Sequence, residues 1–465
     1  MFTGRQKELA QLNKLYNSDK FEFAVIYGRR RVGKSALITE FIKDKDAIFF
    51  TGIESNALQN LEIFSRTIME FETGMAADKV FSSFQEALEH VFLLAETRRI
   101  VLCIDEYPYV AKSAKSLASI LQLLIDRFKD TSKLFLILCG SSVTYMEEQV
   151  LSSEAMLSGH RTAQMKITPF SFGEACQFVP RFSAEEKALA YGITGGIPHY
   201  LLQLDDNLSI EENIRNTFFN PSSVIFEEPL NLLKQEVREP AIYNSILSAI
   251  ASGASKMSEI SKRVGEETSV CTAYIRNLID LGIIRKETPL GDSSTRKTVY
   301  TVDDNMFRFW YRFVPENAST IALGAVDLAY RRIERHLPEY MEAVFEEICR
   351  QYLLALLLAD RCAVDFTESG RWWGTNPKTR KQEKIDILGT MDKYSALFGE
   401  CKWSEEKIDV SALEKLLDRS NLFSFQRVHF YLFAKNGFTQ DCIDKAREYR
   451  NVTLVTYEDI LKWLI

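Results

Sequence analysis

Two parts of this chain carry residue types at spacings suited to chemistry. The first is Gly28-Arg29-Arg30-Arg31-Val32-Gly33-Lys34-Ser35-Ala36, where a glycine, four residues and then Gly-Lys-Ser follow the apolar run Val25-Ile26-Tyr27. Gly28 and Gly33 let the backbone turn tightly with its N–H groups inward. Lys34 can reach the β- and γ-phosphates of a nucleotide, and Ser35 can hold a magnesium ion at a helix N-terminus. Leu37, Ile38, Phe41 and Ile42 continue at helical spacing, so the loop is expected to open a helix. Further on, Ile100-Val101-Leu102-Cys103-Ile104 ends in Asp105-Glu106. At the C-terminal end of a parallel strand these acids would stand beside the loop, Asp105 orienting magnesium through water and Glu106 polarising the attacking water.

The second part is Ile385-Asp386-Ile387-Leu388 with Phe398-Gly399-Glu400-Cys401-Lys402-Trp403. Glu400 and Lys402 are two apart on an expected strand and project from one face. Asp386, on the preceding strand of an expected hairpin, would share that face. Two carboxylates can bind magnesium, and Lys402 can orient or activate water beside it. Glu346, in Phe345-Glu346-Glu347 of a preceding helix, could add a metal contact. The alternative reading is a surface strand with an ion pair.

The elements that must position these residues alternate between strand and helix. A helical face at Leu9, Leu12, Leu15 and Tyr16 precedes a strand at Phe23 to Tyr27. Further strands are expected at Ala47 to Phe50, Ile100 to Ile104, Leu134 to Cys139 and Ala163 to Ile167, with helices from about Ser55 to Glu72 and Phe84 to Ala95. That alternation implies a parallel sheet covered on both faces. Gly140-Ser141-Ser142, after the fourth strand, reads either as a sensor of the γ-phosphate or as a turn with a helix N-cap.

Composition sets the bounds. With 46% hydrophobic and 26% charged residues the 465-residue chain is globular and long enough for several domains. A net charge of −7 excludes a uniformly basic nucleic-acid coat, so any such contact must be a local patch. The eight cysteines lack a Cys-x-x-Cys pair and are expected to be reduced core residues. No apolar run reaches the ~20 residues of a membrane helix, and the start of the chain lacks the pattern of a signal peptide, so no membrane and a cytoplasmic location are expected.

Four features together carry a resemblance: Gly4-Arg5 with Glu8, the loop Gly28 to Ser35, the pair Asp105-Glu106, and Thr194-Gly195-Gly196-Ile197-Pro198. On these the chain resembles the archaeal-type P-loop ATPases of the wider AAA+ and STAND assemblage. The resemblance implies ATP and Mg2+ as cofactors, Gly4 and Arg5 near the nucleoside, and Gly196 and Pro198 touching the nucleotide from a helical lid. It also implies an arginine near Arg161 acting on the γ-phosphate, either of its own subunit or of a neighbouring one in a homo-oligomer. Relatives often carry Gly-Arg-Arg where this chain has Gly159-His160-Arg161, and a solvent-facing arginine is the competing reading.

Residues 241–302 read as three helices, Ile242 to Ala251, Met257 to Val264 and Ser269 to Leu281, followed by a hairpin. In a winged helix the third helix would enter a DNA major groove, presenting Thr272, Tyr274, Arg276 and Asn277, with Arg285, Lys286, Arg296 and Lys297 on or near the wing. Eight Lys and Arg against six Asp and Glu over 255–302 make this patch only weakly positive, and a purely structural role is the other reading. The aromatic stretch Asp303 to Val314 reads as an interdomain seam, with a fresh start after Pro315. Strand-like runs are then expected at Cys362 to Phe366, Lys384 to Gly389 and Tyr394 to Cys401. A basic aromatic loop from Gly370 to Lys384 suits a DNA backbone.

The C-terminal acids and lysine resemble the PD-(D/E)XK nuclease superfamily. The order of ATPase, winged helix and this domain resembles an archaeal and bacterial ATPase family whose C-terminal domain is described as of unknown function. The expected architecture is α/β: a P-loop ATPase core over 1–170, a helical lid and connector over 171–240, a winged helix over 241–314, and a mixed α/β restriction-endonuclease-like domain over 315–465. The expected function is ATP hydrolysis coupled to DNA binding and metal-dependent DNA cleavage. The rivals are an ATP-dependent signalling switch and a winged-helix regulator, each with an inactive nuclease-like domain.

Overall fold

The computed structural model describes residues 2–75, 80–292 and 297–465. The chain forms two compact units: residues 1–169 with 197–199, and residues 170–196 with 200–465.

The first unit is built on five strands, β1 (Glu22–Tyr27), β2 (Ala47–Thr51), β3 (Ile100–Asp105), β4 (Leu134–Gly140) and β5 (Ala163–Lys166). They lie in the order β2-β3-β4-β1-β5, and every neighbouring pair is parallel. β1, β3 and β4 are buried along their whole length, which is why they read as unbroken apolar runs. Alternate residues feed two cores. Phe23, Val25, Leu102 and Leu136 pack under the helices Ala57–Thr73, Phe84–Thr97 and Leu117–Phe128. Ala24, Ile26, Cys103 and Ile137 pack under the helix Lys34–Ile42. Because β4 lies between β1 and β3, the turns after all three strands converge at one edge, where ligands of parallel sheets bind.

In the second unit, the helices Pro240–Ala251, Met257–Val264 and Thr268–Asp280 precede an antiparallel hairpin of β6 (Ile284–Glu287) and β7 (Val299–Val302). Arg296 lies outside the described residues. The expected fresh start after Pro315 is absent, because one helix runs from Asn305 to Ala322 through that proline. Its buried stripe, Met306, Phe307, Trp310, Val314, Asn317 and Ile321, continues at helical spacing across Pro315, and packing holds the turn that lacks an amide donor. The aromatic stretch therefore packs inside this unit, with Phe309 against Phe218 at 4.6 Å and Trp310 Nε1 donating to the Phe226 carbonyl at 2.7 Å.

A 22-residue helix, Leu337–Leu358, leads into the C-terminal sheet. Its strands are β8 (Glu368–Thr375), β9 (Gln382–Thr390), β10 (Ser395–Lys402), β11 (Arg427–Ala434) and β12 (Val452–Thr456). β8, β9 and β10 are antiparallel, whereas β10, β11 and β12 are parallel, joined by the helices Val410–Ser420 and Gln440–Glu448. Two expectations are corrected here. Cys362 to Phe366 is not a strand, and most of the supposed loop from Gly370 is strand. Two glycines beside a tryptophan pair read as a turn. In the fold, Gly374 instead makes room for the Trp372 ring, whose Cζ2 would lie 2.8 Å from an added β-carbon, and a register shift falls between Gly370 and Trp372. Among the described residues no helix is long and apolar enough to cross a membrane. All eight cysteines are free thiols, seven of them buried.

Candidate functional site

The loop between β1 and the helix Lys34–Ile42 has the shape of an anion cradle. At Gly28, φ is +154° and an added β-carbon would lie 2.2 Å from the Ile167 carbonyl oxygen, so only glycine fits. Gly33 caps the helix with φ +89°, and Arg31 between them is also left-handed at φ +72°. Lys34 Nζ turns back to the carbonyls of Gly28 at 2.9 Å and Arg29 at 3.0 Å. Burial lowers the Lys34 pKa from the ordinary amine value, against the opposing pull of Glu106 and Asp105. Ser35 and Ala36 stand exposed in the first helical turn, where free amides face outward.

Two long-range contacts brace this loop. The buried Arg5 guanidinium donates from Nη2 to the carbonyls of Val32 at 3.1 Å and Thr168 at 2.5 Å, tying the opening Gly4-Arg5 turn to the loop backbone. Arg30 Nη2 donates to the Tyr109 hydroxyl at 2.7 Å. Pro198 is brought beside the loop, since a β-carbon on Gly33 would lie 3.5 Å from its Cγ. Gly196 serves the backbone of its own unit: its carbonyl accepts from the Phe170 amide at 2.8 Å, and an added β-carbon would meet the Phe170 oxygen at 2.2 Å.

Asp105, 4% exposed at the end of β3, accepts from Ser35 Oγ at 2.7 Å through Oδ2 and from the Glu106 amide at 3.0 Å through Oδ1. Glu106 has φ +49°, a sparsely populated conformation for a side-chain-bearing residue. Its Oε2 accepts from Ser141 Oγ at 2.8 Å. Of the two readings of Gly140-Ser141-Ser142, the cap position falls to Ser142, whose side chain makes no capping bond, while Ser141 faces the acid. Arg161 donates from Nη1 to the Leu151 carbonyl at 2.7 Å.

On the C-terminal sheet, pairing of Gly399 with Ile387 puts Glu400 opposite Asp386 one step further along. Asp386 is 1% exposed, and Glu346 and Glu400 are also buried. Each acid faces its own cation: Asp386 Oδ1 lies 3.2 Å from Lys384, and Glu346 Oε2 lies 3.3 Å from Arg371 Nε. Glu400 lies 2.7 Å from Lys402 and 2.9 Å from Arg419. Asp386 Oδ2 accepts from the Cys401 amide at 3.0 Å, whereas Oδ1 is buried without a hydrogen bond. Burial, aided by Asp386, raises the Glu346 pKa. Burial opposes the charge on Lys402, but the Glu400 pair outweighs it and raises that pKa. Cations thus engage each member of the expected ligand set, Glu346, Asp386 and Glu400. Among the described residues no three His, Cys, Asp or Glu side chains form a metal-holding group.

Residues 2–204 match a family model described as an ATPase domain predominantly from Archaea, and residues 310–414 match one described as archaeal and bacterial proteins of unknown function. The chain is 32% identical over 409 residues to an uncharacterised protein of Methanocaldococcus jannaschii, covering 88% of each. The chain belongs to this archaeal-type ATPase family. It is also 26% identical over 245 residues to an uncharacterised ATP-binding protein of Pyrococcus abyssi, covering 44% of this chain and 72% of that one. The fold is similar to that of a Walker-type ATPase of Pyrococcus abyssi, with a TM-score of 0.51 at 18% identity, over 67% of this chain and 96% of that one.

This archaeal-type ATPase thus holds an ATP-binding P-loop domain. The first match spans the sequence from Gly4 to Pro198, and the second spans Glu346, Asp386, Glu400 and Lys402. Sequence reasoning missed Tyr109 and Thr168, whose roles depend on partners 79 and 163 residues away. On the helix Thr268–Asp280, Thr272, Arg276 and Asn277 are exposed and Tyr274 is half-buried. Two of these are engaged locally, Tyr274 with Glu239 and Asn277 with the Tyr243 hydroxyl at 2.7 Å. On the hairpin, Arg285 pairs with Glu287 and Asp303, and Lys297 pairs with Asp292.

Proposed function

We propose that this ATPase uses the state of its bound nucleotide to govern a DNA-binding, metal-dependent DNA-cleaving C-terminal half. For the nucleotide half, the carrying observation is the Ser35–Asp105 contact at 2.7 Å, with Glu106 beside it. A hydroxyl and a buried carboxylate are the hard oxygen donors that magnesium prefers. Ser35 and Asp105 would hold it, and the ion when bound supplies charge neutralisation at the phosphates. Lys34 holds the β- and γ-phosphates after leaving the loop carbonyls. Glu106, restrained by Ser141, orients the attacking water.

For the C-terminal half, support comes from Asp386 opposite Glu400 on adjacent antiparallel strands, with Lys402 two residues on and the Asp386 Oδ1 oxygen buried without a hydrogen bond. Asp386 and Glu400 are the donors that would hold a divalent cation there, with Glu346 nearby. DNA would lie along Arg371, Lys378, Arg380 and Lys381 and along the three-helix module of 241–302, acting as a winged helix. The ion pair on every acid favours a second reading, in which this domain is an inactive partner-binding module of an ATP-dependent switch.

Cleavage of supercoiled plasmid and branched DNA with Mg2+ or Mn2+, with and without ATP, separates the two. Wild type is expected to cut, Asp386→Ala to bind DNA without cutting, and Lys34→Ala to lose the response to ATP. Wild-type protein that turns over ATP but cuts no DNA form with either metal rules out the nuclease reading and leaves the switch.

A further inference from the structure

We infer that the cleft lined by Arg312, Arg332, Arg335 and His336 is a second anion site, built for a compact phosphate on a small molecule such as a phosphomonoester or pyrophosphate group. It lies within the second unit and shares no residue with either site described above, and neither the nucleotide chemistry nor the proposed DNA chemistry uses it.

Two helices and the link that follows them make most of the cleft. Arg312 comes from Asn305–Ala322 and Arg332 from Val326–Glu334, while Arg335 and His336 form the link into Leu337–Leu358. Its volume is about 380 Å³, within the range of small-molecule sites. Phe313 and Ile333 are buried beneath it, and Glu316 is the acid among its lining residues. Arg332 Nη1 donates to the Thr320 hydroxyl at 2.9 Å, and Arg312 lies 3.7 Å from Glu339. Arg332 and Arg335 are both exposed on the cleft's lining. Three guanidinium groups are thus brought to one cleft against two carboxylates, Glu316 and Glu339.

His336, the N-cap residue of the 22-residue helix Leu337–Leu358, lines the same cleft, and its side chain makes no capping bond. The charge selects the ligand class. A phosphodiester carries one negative charge, whereas a phosphomonoester carries close to two and offers three oxygens to planar guanidinium forks. Three arginines around one small cleft match the denser charge.

The test titrates inorganic pyrophosphate into the full-length protein by calorimetry. Wild type should take up two equivalents per chain, one at the phosphate loop and one at this cleft. Lys34→Ala should retain one. Arg332→Ala with Arg335→Ala should also retain one while keeping ATP turnover, and the triple variant should retain none. Should the alanine pair fail to fold, Arg332→Lys with Arg335→Lys keeps charge and stem, and its second equivalent should bind roughly tenfold more weakly or worse. A single wild-type equivalent that vanishes in Lys34→Ala overturns the inference, as does wild-type affinity in the lysine pair. So does an arginine variant that loses duplex DNA binding while its pyrophosphate stoichiometry stays at two, because the cleft would then be a contact for a nucleic-acid backbone.

Discussion

At the residue scale, Gly28 and Ser141 are the sharpest tests of the nucleotide site. A β-carbon on Gly28 would lie 2.2 Å from backbone oxygen, a clash that no side-chain adjustment relieves. Gly28→Ala is expected to cost more than 1 kcal/mol of stability in the first unit and to abolish nucleotide binding, read by calorimetry and equilibrium denaturation. Ser141→Ala removes the hydrogen bond that restrains Glu106. Turnover should fall on the order of 10- to 100-fold with ATP affinity little changed, as for a group that orients the attacking water. An unchanged turnover number would remove Ser141 from the reaction. The glycines, Lys34 and Ser35 were legible in the sequence because their spacing is local. The Ser141–Glu106 contact was not, because it depends on β4 lying between β1 and β3 in the sheet.

At the element scale, the sequence exposed the buried strands and hid the irregular ones. β1, β3 and β4 announce themselves as apolar runs. β8 escaped because Gly370 and Gly374 flank Trp372, and Pro315 read as a break because the stripe that carries the helix past it is a matter of packing. The helix Leu337–Leu358 was expected over about Tyr340 to Leu358, but its consequence, the burial of Glu346, is a matter of packing. Burial and the neighbouring Asp386 raise the Glu346 pKa above its unfolded value. The native state therefore binds a proton more readily than the unfolded chain. Between the unfolded and folded pKa values, stability rises as pH falls, and the cost of the charge is fully present above the folded pKa. Glu346→Gln should accordingly gain most over wild type, in thermal midpoint, near neutral pH, and the advantage should shrink as pH approaches 4.5. An advantage that is flat with pH would mean that Arg371 fully compensates the buried charge.

At the scale of the whole molecule, the helix Leu337–Leu358 faces two ways within the second unit. On one side the Tyr340 hydroxyl lies 2.7 Å from the Gly192 carbonyl and 3.0 Å from that of Asn305. Gln351 bridges the Phe172 amide at 2.8 Å and the Tyr191 hydroxyl at 2.9 Å. Gly192 admits this close approach, since a β-carbon there would lie 2.8 Å from Met341 Sδ. On the other side the same helix carries Glu346 to Arg371 of β8. The helix Ala184–Thr194 leads directly into Gly195-Gly196 and then into Ile197–His199, which belong to the nucleotide unit. The proposed coupling of nucleotide state to the C-terminal sheet would act through this helix, and such coupling is a difference in free energy that must be measured. Hydrogen exchange over 337–358 is expected to slow when a non-hydrolysable ATP analogue binds. Tyr340→Phe leaves the Gly192 carbonyl without its hydroxyl partner, a loss of about 1–3 kcal/mol, and should reduce that protection while ATP turnover persists. Exchange in this helix that ignores nucleotide in wild type, or responds as strongly in Tyr340→Phe, would remove this helix from the proposed coupling.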